Sequence, residues 1–343
     1  MGSTKKIVGF GELLLRLGTR QYQRFTQARE FDAFYTGAEA NTLVSLVNYG
    51  YEGYAVSKVP ANDIGQACIN YLKGHGLNAD YIVRGGDRLG LFYLETGASQ
   101  RASKVIYDRA NSAITTLKPG EIDWKTVLQG KDWLHFSGTA PALGSEMPAV
   151  VEEACLTARQ MGVTVSCDLN YRKKLWSRET AQRVMTGLMT CVDVLLCNEE
   201  DAEMVFGIKA EGVDVRSGRL EADRYRDVAD QIVRRFGCKY VSITLRESLS
   251  ATFNNWSGVL YDGQELYRSR SYSMYVVDRV GGGDAFGGGL IYGLLAGMPP
   301  QDVIEFAAAA SCLKHSIPGD FNLASLDEVK ALMAGDASGR VQR

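Results

Sequence analysis

A run of three glycines followed by an aspartate, Gly281-Gly-Gly-Asp284, directly precedes a stretch with helical patterning. The first N–H groups of a helix have no intrahelical partner and lie at the positive end of its dipole, so they can bind an anion. Glycines at this position let a phosphate approach the main chain without obstruction by side chains. The Asp284 carboxylate can act as a helix cap or as a general base, and the segment alone favours the cap.

Two other glycine-rich patterns that bind nucleotides do not occur in the sequence. There is no Gly-x-x-x-x-Gly-Lys-Ser/Thr segment, which disfavours a P-loop nucleoside triphosphatase. After the first predicted strand, Gly9-Phe-Gly11 continues as Glu12-Leu-Leu without a third glycine, which disfavours a dinucleotide-binding dehydrogenase. The glycines at 281–283 therefore indicate an anion site of a different kind.

The hydrophobic pattern predicts the elements that position this segment. Between about residues 118 and 245, short apolar strands alternate with helices, which is typical of a parallel sheet covered by helices on both faces. Two segments near 17–36 and 82–112 show strands separated by turns, and both are too small to fold alone. We therefore expect a single α/β domain over residues 1–343, with three α/β/α layers, a mainly parallel central sheet and a small β-sheet lid over a pocket.

Composition disfavours several classes of protein. Lys plus Arg number 38 and Asp plus Glu number 40, and the formal net charge of −2 argues against nucleic acid as a partner. The sequence has neither an apolar run of about 18 residues nor a signal-peptide pattern, so we expect no membrane span and no secretion. The 7 cysteines form no Cys-x-x-Cys pair and the 3 histidines have no metal-ligand spacing. Reduced thiols in a cytoplasmic protein without a zinc site are the prediction.

Two motifs far apart in the chain resemble the signatures of one enzyme family. Asp278-Arg-Val-Gly-Gly-Gly-Asp-Ala-Phe-Gly-Gly-Gly289 resembles the C-terminal signature of the ribokinase-like (phosphofructokinase-B) carbohydrate kinases, D-T-x-G-A-G-D-x-F-x-x-G. The stretch from Gly37-Ala-Glu-Ala-Asn41 to Asp63-Ile-Gly65 is similar to the N-terminal signature of that family. The resemblance extends from Ile7 to about Leu332. It implies a ribokinase-like fold and transfer of the γ-phosphoryl group of ATP to a sugar hydroxyl.

The resemblance also implies catalytic roles within the second motif. Asp284 matches the aspartate that takes the proton from the attacking sugar hydroxyl. The range Gly281 to Gly283 matches the residues whose amides hold the charge on the transferred phosphoryl group. This agrees with the chemistry, because phosphoryl transfer depends on positioning and charge stabilisation. Gly282 replaces the usual alanine, and Arg279 and Val280 replace the usual threonine positions of the signature.

Further segments resemble the branch of the family that phosphorylates 2-keto-3-deoxygluconate to its 6-phosphate. These segments are Leu91 to Glu95, Ser103 to Ala110, Asp168 to Arg172 and Ile317 to Asn322. The substrate contacts that the resemblance implies are Gly37, Ala38, Glu39, Ala40, Asn41, Tyr93, Tyr107, Arg109, Arg172 and Asp320. Arginine suits the carboxylate of an acidic sugar, because its guanidinium is planar and permanently charged. Arg16, where fructokinase-like relatives tend to carry an aspartate, is a further indication of an anionic substrate.

The nucleotide and metal sites also follow from the resemblance. The implied ATP contacts are Asn170, Arg172, Asn198, Thr244, Arg246, Gly281 and Gly283. A family motif that helps to place Mg²⁺, largely through water, corresponds to Asn198-Glu-Glu-Asp201, so Asn198, Glu200 and Asp201 are the magnesium candidates. Acidic residues in a first helical turn also have a structural explanation in the helix dipole. Many relatives bind a monovalent cation such as K⁺ near the glycine loop, and Asp278 is the corresponding contributor here.

Two alternatives to a sugar-acid kinase stay open. A kinase for a neutral sugar such as fructose or ribose would share the same motifs. A non-catalytic regulator that binds a sugar or a nucleotide would share the fold, but it would need no base, and the retained Asp284 argues against it. The expected partners are a sugar acid and ATP. Because the lid often pairs between subunits in this family, a homo-oligomer is a further expectation.

Overall fold

Short apolar stretches form strands and longer amphipathic stretches form helices in the computed structural model, which describes residues 4–208 and 225–336. The strands are β1 (Lys6–Phe10), β2 (Leu14–Thr19), β3 (Phe31–Thr36), β4 (Glu52–Val59), β5 (Asn78–Arg84), β6 (Gly90–Glu95), β7 (Lys104–Asp108), β8 (Trp133–Ser137), β9 (Thr164–Asp168), β10 (Val194–Asn198), β11 (Tyr240–Ser248), β12 (Phe253–Tyr261), β13 (Leu266–Arg268) and β14 (Tyr272–Tyr275). The helices are α1 (Ala38–Asn48), α2 (Asp63–Gly74), α3 (Trp124–Leu128), α4 (Met147–Gln160), α5 (Arg178–Leu188), α6 (Glu199–Phe206), α7 (Tyr225–Phe236), α8 (Gly282–Leu295), α9 (Pro300–Lys314) and α10 (Leu326–Met333).

The large sheet is parallel over most of its width. Its order is β13-β12-β11-β10-β9-β8-β1-β4-β5, with β14 also paired to β12. All neighbours from β11 to β5 are parallel, whereas β12, β13 and β14 form an antiparallel edge. Helices α3 to α7 cover one face, and α1, α2 and α8 to α10 cover the other. In β1, Ile7 packs into one core while Val8 and Phe10 pack into the other. The predicted three-layer α/β/α fold is confirmed.

A second, four-stranded sheet has the order β3-β2-β6-β7 and is called the lid from here on. It combines the two separate segments that the sequence predicts, but the bounds differ. The lid strands begin at Leu14 and Gly90, because residues 82–84 belong to β5 at the edge of the large sheet. Residues 20–30, predicted as strand, form turns and irregular structure, and Arg20 pairs there with Glu30 and Asp32.

Helix α8 carries glycines where it crosses its neighbours. A Cβ atom at Gly288 would lie 2.6 Å from the Cβ of Ser45 on α1, and one at Gly289 would lie 2.8 Å from the Cα of Ala307 on α9. Glycine permits this close backbone approach, which offsets its low helix propensity. The first turn of α8, which contains Asp284, is thereby held against α1, which contains Asn41.

Two of the expectations from composition concern the cysteines and the length of apolar helices. All 7 cysteines lie within the described residues as free thiols, and all except Cys312 are buried. Among the helices within residues 4–208 and 225–336, none is long and apolar enough to cross a membrane.

Candidate active site

Several parallel strands end at one edge of the large sheet, and residues near those ends line a cavity of about 680 Å³ between the sheet and the lid. Asp168 is the last residue of β9 and Asn198 the last of β10, while Thr244 lies beside Asn198 on β11. Ligands of open α/β sheets bind outside the carboxyl ends of the strands. A second cavity of about 1150 Å³ adjoins the first and shares with it Tyr107, Arg109, Arg172, Asn198, Glu200 and Asp201. The site therefore lies where the topology favours ligand binding.

Most of the residues predicted from the sequence line the first cavity. Those from the implied substrate set are Gly37, Ala38, Glu39, Asn41, Tyr107, Arg109, Arg172 and Asp320. Those from the implied nucleotide, metal and catalytic sets are Asn170, Arg172, Asn198, Thr244, Arg246, Glu200, Asp201, Gly281, Gly283 and Asp284. The fold thus brings together residues from both halves of the chain, including Asn41 and Asp284, which lie 243 positions apart.

Two residues of the implied substrate set lie elsewhere. Tyr93 is absent from the cavity wall and packs with its ring centre 6.1 Å from that of Phe31, whereas its neighbour Phe92 lines the cavity. Successive side chains of a strand point to opposite faces, so a shift of one residue reverses the orientation. Ala40 is buried in the core between α1 and the sheet. The β6 residue that lines the cavity is therefore Phe92 rather than Tyr93. The alternation of side chains along the strand is the sequence signal that could have identified Phe92.

Asp284 is held by a residue of a neighbouring helix. Its Oδ2 accepts a hydrogen bond from Asn41 Nδ2 at 2.6 Å. Thr36 Oγ1 donates to Asn41 Oδ1 at 3.0 Å, which fixes the orientation of the Asn41 amide. The carboxylate is therefore engaged across the α1–α8 contact instead of capping its own helix. Asp284 is therefore not the helix cap that the glycine segment alone favoured.

Four carboxyl groups of the cavity have pKa values raised to about 7: Glu39, Asp168, Asp201 and Asp284. Burial is the main cause for each, and repulsion adds to it, from Asp284 on Asp168 and from Asp168 on Asp201. The Arg172 charge opposes the shift at Asp168, Asp201 and Asp284. Perturbed carboxyl groups cluster at functional sites, and interacting ones titrate together. Asp168 was not predicted as a site residue, although a carboxylate at the end of a buried strand is the relevant signal.

The glycines before Asp284 differ in their surroundings. Gly281 has a φ of 81°, and a Cβ there would overlap the carbonyl oxygen of Asp320. Gly281 and Gly283 line the cavity. Gly282 is buried behind them, and its N–H donates to the carbonyl of Arg279 at 3.3 Å. Of the three glycines, Gly281 and Gly283 therefore line the cavity, and Gly282 packs within the turn.

The two arginines of the implied substrate set have different partners. Arg109 forms an ion pair with Glu12, and its guanidinium carbon lies 5.2 Å from the ring centre of Tyr107. Arg172 is exposed, and its Nη1 donates to the carbonyl of Tyr171 at 3.5 Å. Among the side chains that the structure describes, no carboxylate forms an ion pair with Arg172, although its charge acts on Asp168, Asp201 and Asp284. Its charge is therefore available to an anionic ligand.

Arg16 is buried below the cavity, and its charge is compensated within the protein. Its Nη2 donates to Asp278 Oδ2 at 2.6 Å, and its Nη1 pairs with Asp320. A buried guanidinium requires such partners, because an unpaired buried charge is strongly destabilising. The interpretation of Arg16 as an indication of an anionic substrate is therefore wrong. Its role is to tie strand β2 of the lid to the loops at 278 and 320.

The magnesium candidates surround the start of α6. Asn198 Oδ1 accepts hydrogen bonds from the N–H groups of Glu200 and Asp201, both at 2.9 Å, as the N-cap of the helix. Asp201 Oδ1 accepts a bond from the Tyr171 N–H at 3.2 Å. In the described part of the chain, no three His, Cys, Asp or Glu side chains are arranged as a direct metal site. The oxygen donors of Asp168, Glu200 and Asp201 on one cavity wall do fit a hydrated Mg²⁺, which keeps several of its waters.

Comparison with known proteins identifies the family of this chain. The profile of the pfkB family of carbohydrate kinases matches residues 4–321. The 2-dehydro-3-deoxygalactonokinase of Haloferax volcanii is 30% identical over 338 residues, covering 98% of this chain and 99% of that protein. The 2-dehydro-3-deoxygluconokinase of Bacillus subtilis is 27% identical over 319 residues, covering 92% and 91%. The crystal structure of 2-dehydro-3-deoxygluconokinase from Thermotoga maritima is similar with a TM-score of 0.93 and 49% identity, covering 96% of this chain and 100% of that one. The chain therefore belongs to the pfkB family of carbohydrate kinases.

Proposed function

We propose that the protein transfers the γ-phosphoryl group of ATP to the 6-hydroxyl of 2-keto-3-deoxygluconate. The observation that carries this proposal is the arrangement of Asp284, Gly281 and Gly283 around one cavity that is also lined by Arg172. The names of the relatives support the substrate class, because each is named for a 2-dehydro-3-deoxy sugar acid.

In the proposed reaction Asp284 accepts the proton of the attacking hydroxyl. Its pKa of about 7 places the carboxyl near neutrality, where a general base is most effective. Asn41 keeps the carboxylate oriented toward the cavity, which fixes the direction of attack. The Gly281 and Gly283 amides, at the positive end of α8, donate to the oxygens of the transferred phosphoryl group.

The nucleotide is proposed to lie along a different part of the cavity wall from Asp284 and the glycine turn. The residues assigned to it are Asn170, Asn198, Thr244 and Arg246. Mg²⁺, held through its waters by Asp168, Glu200 and Asp201, would neutralise charge on the phosphates of ATP. Burial raises the pKa values of Asp168 and Asp201, and repulsion adds to it, from Asp284 on Asp168 and from Asp168 on Asp201; this concentration of carboxyl groups supports a cation at this wall.

Substrate recognition is proposed to rest on Arg172, with the stacked Tyr107 and Arg109 beside it. A neutral sugar would offer Arg172 no carboxylate to bind, so a fructose- or ribose-type kinase is the less favoured alternative. A homo-oligomer formed through the lid, and a cytoplasmic location, stay predictions.

The function is tested by ADP release from the full-length protein with a panel of acceptors. The acceptors are 2-keto-3-deoxygluconate, 2-keto-3-deoxygalactonate, 5-keto-2-deoxygluconate, fructose and ribose. We expect kcat/KM for a 2-keto-3-deoxy acid to exceed that for either neutral sugar by about 10- to 100-fold, the effect of one charge-assisted hydrogen bond. Turnover with neutral sugars alone would contradict the proposal. ATP binding without turnover of any acceptor would instead indicate a regulator.

The pH dependence follows from the raised pKa of Asp284. A general base acts only when it is ionised, so kcat/KM should decline as the pH falls through about 7 and protons bind the Asp284 cluster. The pH profile of kcat/KM under saturating ATP measures this, with coupling enzymes checked separately at each pH. A profile that stays flat well below neutrality would show that no such carboxyl limits the reaction.

The strand orientation at the lid makes a separate prediction. Phe92, whose ring centre lies 5.8 Å from that of Tyr107, should contact the sugar, so Phe92→Ala should raise its KM by about 10-fold through lost apolar contact. Tyr93→Phe is the matched control and should leave KM unchanged, because the Tyr93 ring packs toward Phe31. Steady-state kinetics on both variants distinguish the two faces. A raised KM for the Tyr93 variant alone would reverse the assignment.

A further inference from the structure

A lysine that the proposed mechanism does not use lies beneath the turn that opens helix α8. Lys314, the last residue of α9, has 0% of its surface exposed. Its Nζ donates to the carbonyl oxygens of Asp278 at 3.3 Å and of Ile317 at 3.1 Å. Burial of an ammonium is costly unless it is paired and hydrogen-bonded, so this position requires a compensating role.

The Lys314 side chain contacts the anion-binding turn, defined as residues 278–281, from the side opposite the cavity. A Cβ on Gly281 would lie 3.3 Å from Lys314 Cε, whereas Gly281 itself lines the cavity. The Asp278 carboxylate braces the same turn, since Oδ1 accepts from the Val280 N–H and Oδ2 from the Gly319 N–H, both at 3.1 Å. Lys314 and Asp278 therefore hold the anion-binding turn against the loop at 317–320.

Four side chains form a buried charge cluster here: Arg16, Asp278, Lys314 and Asp320. Arg16 pairs with both carboxylates, so the formal charges of the cluster sum to zero when Lys314 is protonated. Burial lowers the pKa of Lys314, while Asp278 and Asp320 oppose that shift. The ammonium takes main-chain carbonyl oxygens as partners, which are also the ligands that a potassium ion prefers.

Resting on the kinase function proposed above, we propose that Lys314 is a positioning residue that supplies a fixed positive charge beneath the anion-binding turn, so that catalysis needs no monovalent cation. The family resemblance implies that Asp278 contributes to a K⁺ site, but Asp278 does not fit such an ion here. The carbonyl oxygen of Asp278 accepts from Lys314, and its carboxylate accepts from Arg16, Val280 and Gly319. The Asp278 oxygen atoms that could bind a cation thus already accept hydrogen bonds within the protein.

The charge acts on catalysis through the turn. Gly281 lines the cavity, and the direction of its amide depends on how the turn sits on the 317–320 loop. Amides serve an anion well only when they are fixed before the reaction begins. A tethered ammonium keeps this support in place at any ionic composition, whereas a bound metal ion would be lost when its concentration falls.

The test compares initial rates of the full-length enzyme in KCl and in tetramethylammonium chloride at equal ionic strength, with residual alkali ions removed. Wild-type kcat should be the same in both salts. Lys314→Met keeps the length of the side chain and removes the charge, so kcat should fall by about 10- to 100-fold in tetramethylammonium chloride. KCl or NH₄Cl should restore part of that loss, because a small cation can enter the vacated space. Lys58→Met, which removes another buried lysine paired with Glu121, should show neither effect.

The outcomes separate this inference from the proposed function. Wild-type enzyme that turns over a sugar acid but requires KCl would overturn the inference alone. So would a Lys314→Met variant with wild-type kcat, or one whose loss no small cation restores. Wild-type enzyme that phosphorylates no acceptor in either salt would instead overturn the proposed function. If Lys314→Met does not fold, as judged by circular dichroism, the wild-type comparison decides the question by itself.

Discussion

Replacing Asp284 with asparagine is expected to lower kcat by about 10²- to 10⁴-fold, the usual contribution of a general base. The amide is nearly isosteric with the carboxylate, and its oxygen can keep the 2.6 Å hydrogen bond from Asn41 Nδ2. Sugar binding should therefore persist while proton transfer fails. Steady-state kinetics combined with calorimetric titration of the sugar acid separates these two effects.

Asp302→Asn is the matched control for this variant. Asp302 also lies in the first turn of a helix, α9, but it does not line the cavity. Loss of a first-turn carboxylate costs about 0.3 to 1 kcal/mol of stability through the helix dipole and should leave kcat unchanged. If Asp284→Asn also kept full kcat and lost only this small stability, Asp284 would be a helix-terminal residue and the proposed mechanism would be wrong.

Replacing Arg172 with glutamine is expected to raise the KM for the sugar acid by about 10- to 100-fold, the value of a charge-assisted hydrogen bond. The variant should also change the pH dependence. The Arg172 charge favours the ionised forms of Asp284, Asp168 and Asp201, so its removal should raise their pKa values further. The acidic limb of the kcat/KM profile should then move to higher pH.

A matched control exists on helix α5. The exposed Arg178 donates to the carbonyls of Glu203 and Met204, much as Arg172 donates to the Tyr171 carbonyl, but it does not line the cavity. Arg178→Gln should therefore change neither KM nor the pH profile. If Arg172→Gln weakened a neutral sugar as strongly as the acid, Arg172 would not recognise a carboxylate, and the sugar-acid specificity would need another source.

Some features of this protein follow from the sequence because they depend on neighbouring residues along the chain. The N–H groups at the start of a helix lack intrahelical partners, and glycines leave them accessible, so one short segment is enough to predict an anion site before Asp284. The alternation of apolar strands and helices likewise predicted a parallel three-layer sheet. Strand ends such as Asp168 and Asn198 then meet at one edge as a consequence of the topology.

Other features depend on contacts between distant parts of the chain. Leu91-Phe-Tyr93 presents two adjacent aromatic residues, and only the pairing of β6 with β2 and β7 decides that Phe92 faces the cavity. Strand orientation reverses with a shift of one residue, and the composition of this stretch does not discriminate between the two registers.

The charged residues show the same division most clearly. Arg16 and Arg172 are alike as residue types, yet Arg16 forms buried ion pairs with Asp278 and Asp320, which lie 262 and 304 positions away. Arg172 is exposed and donates to the carbonyl of its neighbour Tyr171. Lys314 has no sequence signal, because its role depends on burial against the 278–281 turn. Features of the local backbone, such as a helix start, depend on neighbouring residues and can be predicted from the sequence. The partner of a buried charge is decided only when the tertiary structure brings distant loops together, and that partner determines whether the charge supports the protein or binds a ligand.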